Sequence, residues 1–109
     1  MATRTELITY TLRHLGVLDS IEEPAAEDSE ALGVWADNVR AELLELGTCW
    51  WDEDGIPAAV LGALITLVGS RACFTFGKPQ FGNDWADGMR RLNSLASSEE
   101  RPVTQAVYY

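Results

Sequence analysis

Residues 58–74, AAVLGALITLVGSRACF, decide the fold that the sequence predicts. They are apolar nearly all round, and a helix of that kind must be packed on every side. Pro57 suits the first position of such a helix. The uninterrupted apolar part, residues 58–70, is too short to cross a bilayer. We therefore predict a buried central helix, in which Gly62 and Gly69 lie on nearly one face and let another helix approach closely.

A first and a second helix precede this central one. Thr3 and Glu6 have the spacing of a capping box, and Gly16 is a natural residue to end the first helix. A loop over residues 17–27 follows. A second helix is expected to be capped by Asp28 or Ser29 and to end at Gly47. Its apolar stripe comprises Leu32, Trp35, Val39, Leu43 and Leu46.

A fourth helix follows the loop FGKPQFGND, with Asn83 or Asp84 as its cap. Its apolar stripe is Trp85, Met89, Leu92 and Leu95 or Ala96. The predicted fold class is all-α: a four-helix bundle with a long buried central helix and an extended C-terminal tail. Residues 1–100 form the bundle, and residues 101–109 form the tail.

The formal charge of −9 is placed unevenly along the chain. Residues 1–55 carry thirteen acidic and three basic side chains, whereas residues 56–109 carry four and five. Such a field repels nucleic acid, so tight binding of phosphates is disfavoured. For any single carboxylate, a solvated acidic face is the simplest interpretation.

No catalytic residue, metal site or cofactor is predicted. His14 is the only histidine, so no Ser-His-Asp triad, Cys-His pair or multi-histidine site can form within one chain. The turn Asp52-Glu53-Asp54-Gly55 lacks the glutamate that a calcium loop needs at its twelfth position. Cys49 and Cys73 form no framework and are interpreted as small buried hydrophobes in a reducing cytoplasm. We predict that the protein is not an enzyme.

The aromatic residues suggest both a core and an interface. Trp35 and Trp85 lie on helix stripes and are expected in the core. Trp50 and Trp51 are adjacent, so they cannot both face one core, and one is expected at the edge, where an aromatic residue suits an interface. A plug at the helix end is an equally good interpretation. The candidate interface residues are Trp50, Trp51 and Phe81.

The C-terminal tail, RPVTQAVYY, is apolar and rich in residues that favour strands. After the proline its side chains alternate between two sides, and no convincing partner strand exists in the sequence. Addition of this strand to the sheet edge of another protein is the favoured interpretation. A disordered tail, or one folded over its own bundle, is the alternative. The predicted binding residues are Pro102, Val103, Thr104, Gln105, Ala106, Val107, Tyr108 and Tyr109.

Taken in order, these segments resemble the head–tail connector (adaptor) proteins of tailed bacteriophages. The resemblance lies in an opening helix, TELITYTLRHLGVL, an acidic loop and a long amphipathic helix, EALGVWADNVRAELLELG. A tryptophan and the turn DGIP then lead into the apolar third helix, followed by a shorter polar helix and an extended tail containing tyrosine. The resemblance covers essentially the whole chain. It is a resemblance of layout and residue type, and no single motif in it is diagnostic.

The resemblance implies a structural role in the virion. Such adaptors form a ring beneath the portal, commonly of twelve copies, and join it to a stopper or tail protein. DNA passes through the channel without specific binding, and no membrane is involved. In this chain the portal-binding role would fall on residues 102–109. The implied location is the head–tail junction, after assembly in the bacterial cytoplasm, and such adaptors can be monomeric until the portal templates the ring.

The acidic first half also suits a different class of protein. A small acidic regulator or inhibitor could imitate DNA and bind a host protein that handles nucleic acid. The apolar tail does not favour this alternative.

Overall fold

The computed structural model of the protein describes residues 1–19 and 21–95. Over these ranges the chain is all-α, as the sequence predicts, and no helix there is long and apolar enough to cross a membrane. A short 3-10 turn, Pro79–Phe81, precedes the last helical segment. The helices are α1 (Arg4–His14), α2 (Ala26–Glu45), α3 (Ala58–Ala72) and α4 (residues 85–95).

Helix α1 begins with the predicted capping box. The hydroxyl of Thr3 accepts a hydrogen bond from the amide of Glu6 at 3.2 Å, and the carboxylate of Glu6 accepts one from the amide of Thr3 at 3.1 Å. Gly16 has a φ of 78°, a conformation that glycine adopts without the steric cost of a Cβ. Both predicted ends of α1 are confirmed.

Helix α2 begins earlier than predicted. Ala25 is its N-cap and makes no side-chain cap hydrogen bond, so the prediction of a cap at Asp28 or Ser29 is wrong. Alanines at the start favour the helix, and the acidic Glu27 and Asp28 stabilise its first turn through the helix dipole. Side chains that could serve as caps therefore lie inside the helix.

The apolar stripe of α2 is confirmed over its middle and wrong at its end. Leu32, Val39 and Leu43 are buried, but the side chain of Leu46 is 59% exposed. Leu46 is the C-cap residue, where the chain already turns away from the core. Arg40, which is not part of the stripe, is half-buried and donates from Nη2 to the carbonyl oxygen of Trp51 at 3.3 Å.

Helix α3 packs against both α1 and α2, and nine of its fifteen residues are buried. It begins one residue after Pro57 and ends at Ala72, before Phe74. Its N-terminal side, however, leaves Ala58, Ala59 and Gly62 exposed. Among the described residues, α3 is therefore not packed on every side, contrary to what the sequence predicts. The small residues on its N-terminal side offer little apolar area to bury.

Glycines mark two close helix contacts. A Cβ placed on Gly69 would lie 3.4 Å from Cδ2 of His14, so α1 approaches α3 closely there, as predicted. At Gly62 a Cβ would meet none of the described atoms within 4 Å, and the same prediction is wrong for that residue. Instead Gly88 in α4 lies against α3, where a Cβ would come within 2.8 Å of Leu67.

The beginning of the chain is joined to the start of α3. The amide of Ala2 donates to the carbonyl oxygen of Ile56 at 2.8 Å, and the amide of Ile56 returns a bond to Ala2 at 2.9 Å. Both side chains are buried. The turn between Asp52 and Gly55, closed by a 3.0 Å hydrogen bond, is the one predicted from the sequence.

Candidate functional site

The predicted portal-binding residues, 102–109, lie outside the described part of the chain. Their strand-like alternation stays a prediction. The remaining candidate interface residues, Trp50, Trp51 and Phe81, are described and lie in two different parts of the fold.

Trp50 and Trp51 form an edge-to-face pair after α2. Their ring centroids are 4.9 Å apart and the ring planes meet at 85°. Trp51 is 6% exposed and belongs to the core, whereas Trp50 is half-buried at its edge. Trp51 thus offers a partner almost no surface in this chain. The interface prediction therefore depends on Trp50, which Trp51 supports from behind.

Phe81 lies in the 3-10 turn, and its ring contacts His14 at a centroid distance of 5.1 Å. His14 is exposed at the end of α1, so its described role is to pack against this aromatic ring. The contact joins the loop before α4 to α1. Nearby, Phe74 is 70% exposed and lies over Gly82.

A cluster that we call the Trp–Arg cluster comprises Trp35, Glu42, Arg71 and Trp85. The guanidinium of Arg71 lies 3.9 Å above the ring of Trp85, and its Nη2 is 3.3 Å from the carboxylate of Glu42. Trp35 donates from its indole nitrogen to the hydroxyl of Thr75 at 3.0 Å. The cluster therefore connects α2, the end of α3 and the start of α4.

The Trp–Arg cluster corrects the sequence prediction for two tryptophans. Trp35 and Trp85 are half-buried at the edge of the core rather than inside it. A tryptophan has a polar nitrogen as well as an apolar ring, and an arginine stacked on such a ring keeps contact with water. Both side chains therefore stay partly accessible.

An open cleft of about 250 Å³ lies beside this cluster. Tryptophan and arginine are among the residue types enriched where proteins bind one another. The cleft is a candidate interface that the sequence interpretation missed. The available signal was Arg71, the only charged residue of α3, close to the end of an otherwise apolar helix. The cleft is lined by Trp35, Asn38, Val39, Glu42 and Arg71.

The acidic side chains in the first half of the chain face solvent. None of its thirteen carboxylates is buried: Asp28 and Glu42 are half-buried, and the others are exposed. Arg4 pairs with Asp37 at 2.9 Å and with Glu53 at 3.3 Å. The hydrogen bond to Asp37 raises the pKa of the Arg4 guanidinium, with help from neighbouring carboxylates. Most of the acidic side chains have no cationic partner among the described residues.

The two cysteines are free and lie in different surroundings. Cys73 is buried, and this burial raises the pKa of its thiol, while Cys49 is half-buried. Cys73 therefore behaves as a small buried apolar residue, as expected, whereas Cys49, predicted to be buried as well, is only partly so. Within residues 1–19 and 21–95, no group of three or more His, Cys, Asp or Glu side chains is arranged to hold a metal ion.

Comparisons with protein-family models, with curated proteins and with solved structures give no match. The functional interpretation therefore depends on the residues themselves.

Proposed function

We propose that this protein is a head–tail connector (adaptor) of a tailed bacteriophage. It forms a ring beneath the portal, extends the DNA channel, and joins the capsid vertex to a stopper or tail protein. The role is structural and not enzymatic, and the site of action is the virion. The proposal develops the resemblance of the chain to adaptors in the order and character of its helices.

The observation that carries the proposal is the exposed acidic first half of the chain. Its carboxylates project from α1, α2 and the loops beside them, and the basic partners found for them among described residues are few. A negative wall lets DNA slide past, because a basic wall would hold the phosphates by releasing their counterions. An adaptor that extends a DNA channel needs this property.

The proposal includes the finer architecture. The helices form a four-helix bundle with α3 as its central element and residues 101–109 as an extended tail. The packing of α3 on α1 and α2 supports this arrangement, as does the close approach of Gly88 to Leu67. A bundle of this kind would hold the Trp–Arg cluster and Trp50 at its surface as contacts for neighbouring proteins.

The portal is recognised by the tail, which adds a strand to a portal sheet. The test compares the full chain with a chain lacking residues 101–109, using portal rings encoded in the same genome. Co-sedimentation measures docking, and circular dichroism checks that both chains are helical. The truncated chain is expected to stay folded and to lose docking. Normal docking of the truncated chain would overturn the role of the tail, and a genome without a portal gene would overturn the adaptor proposal.

Because side chains along a strand alternate between two sides, the predicted tail strand allows a matched pair of variants. In a strand, Val103 and Val107 face one side while Thr104 and Ala106 face the other. Replacing both residues of a side by aspartate adds the same charge in each variant. One variant is expected to dock far more weakly than the other, because one side of an added strand is buried against the portal. Equal losses from both variants would contradict strand addition.

The exposed carboxylates also favour a second function, that of a small acidic regulator or inhibitor. An exposed group of carboxylates, such as Glu22, Glu23, Glu27 and Glu30, imitates the charge of a nucleic acid. A pull-down from host lysate at low and high salt distinguishes this function. Stoichiometric, salt-sensitive recovery of a nuclease or polymerase would favour it over the adaptor.

A further inference from the structure

An open groove runs between α3 and α4, on the side of α3 that the core leaves uncovered. It measures about 500 Å³. Its floor is formed by small residues, and at Gly62 a Cβ would meet none of the described atoms within 4 Å. A side chain from another molecule can therefore reach the helix backbone here. We call it the α3–α4 groove, lined by Ala59, Gly62, Ala63, Arg90, Arg91, Ser94 and Leu95.

Two arginines give the groove a positive wall. Asp87 pairs with both Arg90 and Arg91, so two guanidinium groups share one carboxylate among the described residues. Arg91 also donates to the hydroxyl of Thr66 at 2.5 Å, which holds its side chain beside α3. A net positive, partly apolar groove in a chain of charge −9 attracts an acidic segment that carries an apolar side chain.

The loop before α2 has this chemistry. Ile21 is 91% exposed, and its neighbours Asp19, Glu22 and Glu23 are exposed as well. The amide of Glu22 donates to the carbonyl oxygen of Asp19 at 3.3 Å. The loop therefore presents one apolar side chain with carboxylates on both sides.

Within one copy, the loop before α2 borders the cleft between α1 and α2 and not the α3–α4 groove. Glu23 and Pro24 line the cleft between α1 and α2, together with Arg4 and Ile8. We propose that Ile21 of one copy enters the α3–α4 groove of a second copy, where Glu22 and Glu23 pair with Arg90 and Arg91.

Two different surfaces meet in this contact, so the interface is heterologous, and a pair of copies keeps one free loop and one free groove. Repetition builds a ring if the rotation closes and a filament if it does not. Closure into a ring rests on the proposed adaptor function, whereas the contact itself rests on the charges and the exposed isoleucine. The alternative occupant of the groove is an acidic segment of another protein.

Disulfide cross-linking tests which surfaces meet. In a Cys49→Ser parent, a chain with Glu22→Cys is mixed with a chain with Ser94→Cys and oxidised. The mixture is expected to give a covalent dimer, and a chain carrying both substitutions a ladder of multimers. The control mixture replaces Glu22→Cys by Glu45→Cys, an exposed acidic residue at the other end of α2. A mixture that cross-links no better than this control would overturn the proposal.

Charge reversal tests the energetics of the same contact. Sedimentation velocity at low salt is expected to show self-association weakened at least about tenfold by Arg90→Glu with Arg91→Glu, because like charges across an interface repel. Glu22→Arg with Glu23→Arg is expected to do the same. Mixing these two double variants restores opposite charges at every contact, so association should return. Failure of the mixture to associate would contradict the proposed pairing.

The cross-linking result and the portal-docking result test the two proposals separately. If the cross-link fails while the full chain still docks on the portal through its tail, the adaptor function stands and this interface falls. If the cross-link forms and docking fails, copies of the chain meet as proposed, and the adaptor function falls.

Discussion

Helices α2 and α3 pack against each other but differ in how much of their surface is buried. Helix α2 is the longer, with twenty residues, and buries a single stripe beneath an acidic surface. Helix α3 has fifteen residues, nine of them buried, and one charged side chain. The first therefore presents an exposed acidic surface, and the second supplies a large part of the buried core. Substitutions in the two helices should differ accordingly.

The largest difference is expected between buried and exposed leucines. Leu67 in α3 is fully buried, whereas Leu44 in α2 is 48% exposed. Leu67→Ala should lower the free energy of unfolding by about 3 kcal/mol, because it removes apolar contacts and leaves a cavity. Leu44→Ala should change it by less than about 0.5 kcal/mol, as expected for a surface site. Urea denaturation measures both, and equal losses would remove the distinction between the helices.

The two sides of α3 can be compared through glycine. Gly88→Ala would place a Cβ 2.8 Å from Leu67 and should destabilise the chain by about 1 kcal/mol or more, since the packed side chain must shift. Gly62→Ala should stabilise it by about 1 kcal/mol, because alanine favours a helix and nothing described lies in the way. Thermal unfolding followed by circular dichroism would show the opposite signs. Destabilisation by Gly62→Ala would show that the groove is already covered.

The beginning of α2 can be strengthened to match that of α1. Ala25 gives α2 no side-chain cap, whereas Thr3 gives one to α1. Ala25→Asp should raise the free energy of unfolding by about 0.5–1 kcal/mol, because its carboxylate can accept from free amides of the first turn. Thr3→Ala should lower it by about 1 kcal/mol. If Ala25→Asp had no effect in chemical denaturation, repulsion from the acidic surface would cancel the gain from the cap.

The smallest effect is expected where the two helices are linked by Arg71 and Glu42. Both side chains are more than two-fifths exposed, so water and salt screen their attraction. A double-mutant cycle with Arg71→Gln and Glu42→Gln should give a coupling of about 0.5 kcal/mol, decreasing with added salt. A coupling well above this value, or one insensitive to salt, would mean that the Trp–Arg cluster is more rigid than its exposure implies.

The sequence predicts the helices well because their signals are local. The capping box at Thr3 and Glu6, the left-handed glycines at 16 and 47, and the turn at Asp54-Gly55 are each set by residues close in the chain. The predicted start of α2 was wrong because several neighbouring residues favour the start of a helix similarly. Side-chain capping, typically worth about 1 kcal/mol, competes there with helix propensities that differ by up to about 0.7 kcal/mol per residue.

The candidate surfaces were harder to predict because they depend on contacts between distant residues. Trp35 and Trp85 have the spacing of core residues, and nothing local shows that Thr75 and Arg71 meet them at the edge. The α3–α4 groove exists because the residues of α3 around Gly62 are small, which in sequence resembles a site for close helix packing. Periodicity identifies a face of a helix, but the neighbouring helices decide what covers that face.

The bridge between Ala2 and Ile56 has a consequence for the order in which the chain folds. Contacts between residues so far apart in sequence are slow to form, since a long loop must close first. Helix α1 is synthesised before α2 and α3, yet Ala2 beside it meets its backbone partner Ile56, and His14 meets Gly69, only after α2 and most of α3 have been made. The apolar face of α1 therefore stays exposed, or loosely held against α2, until most of α3 has been synthesised.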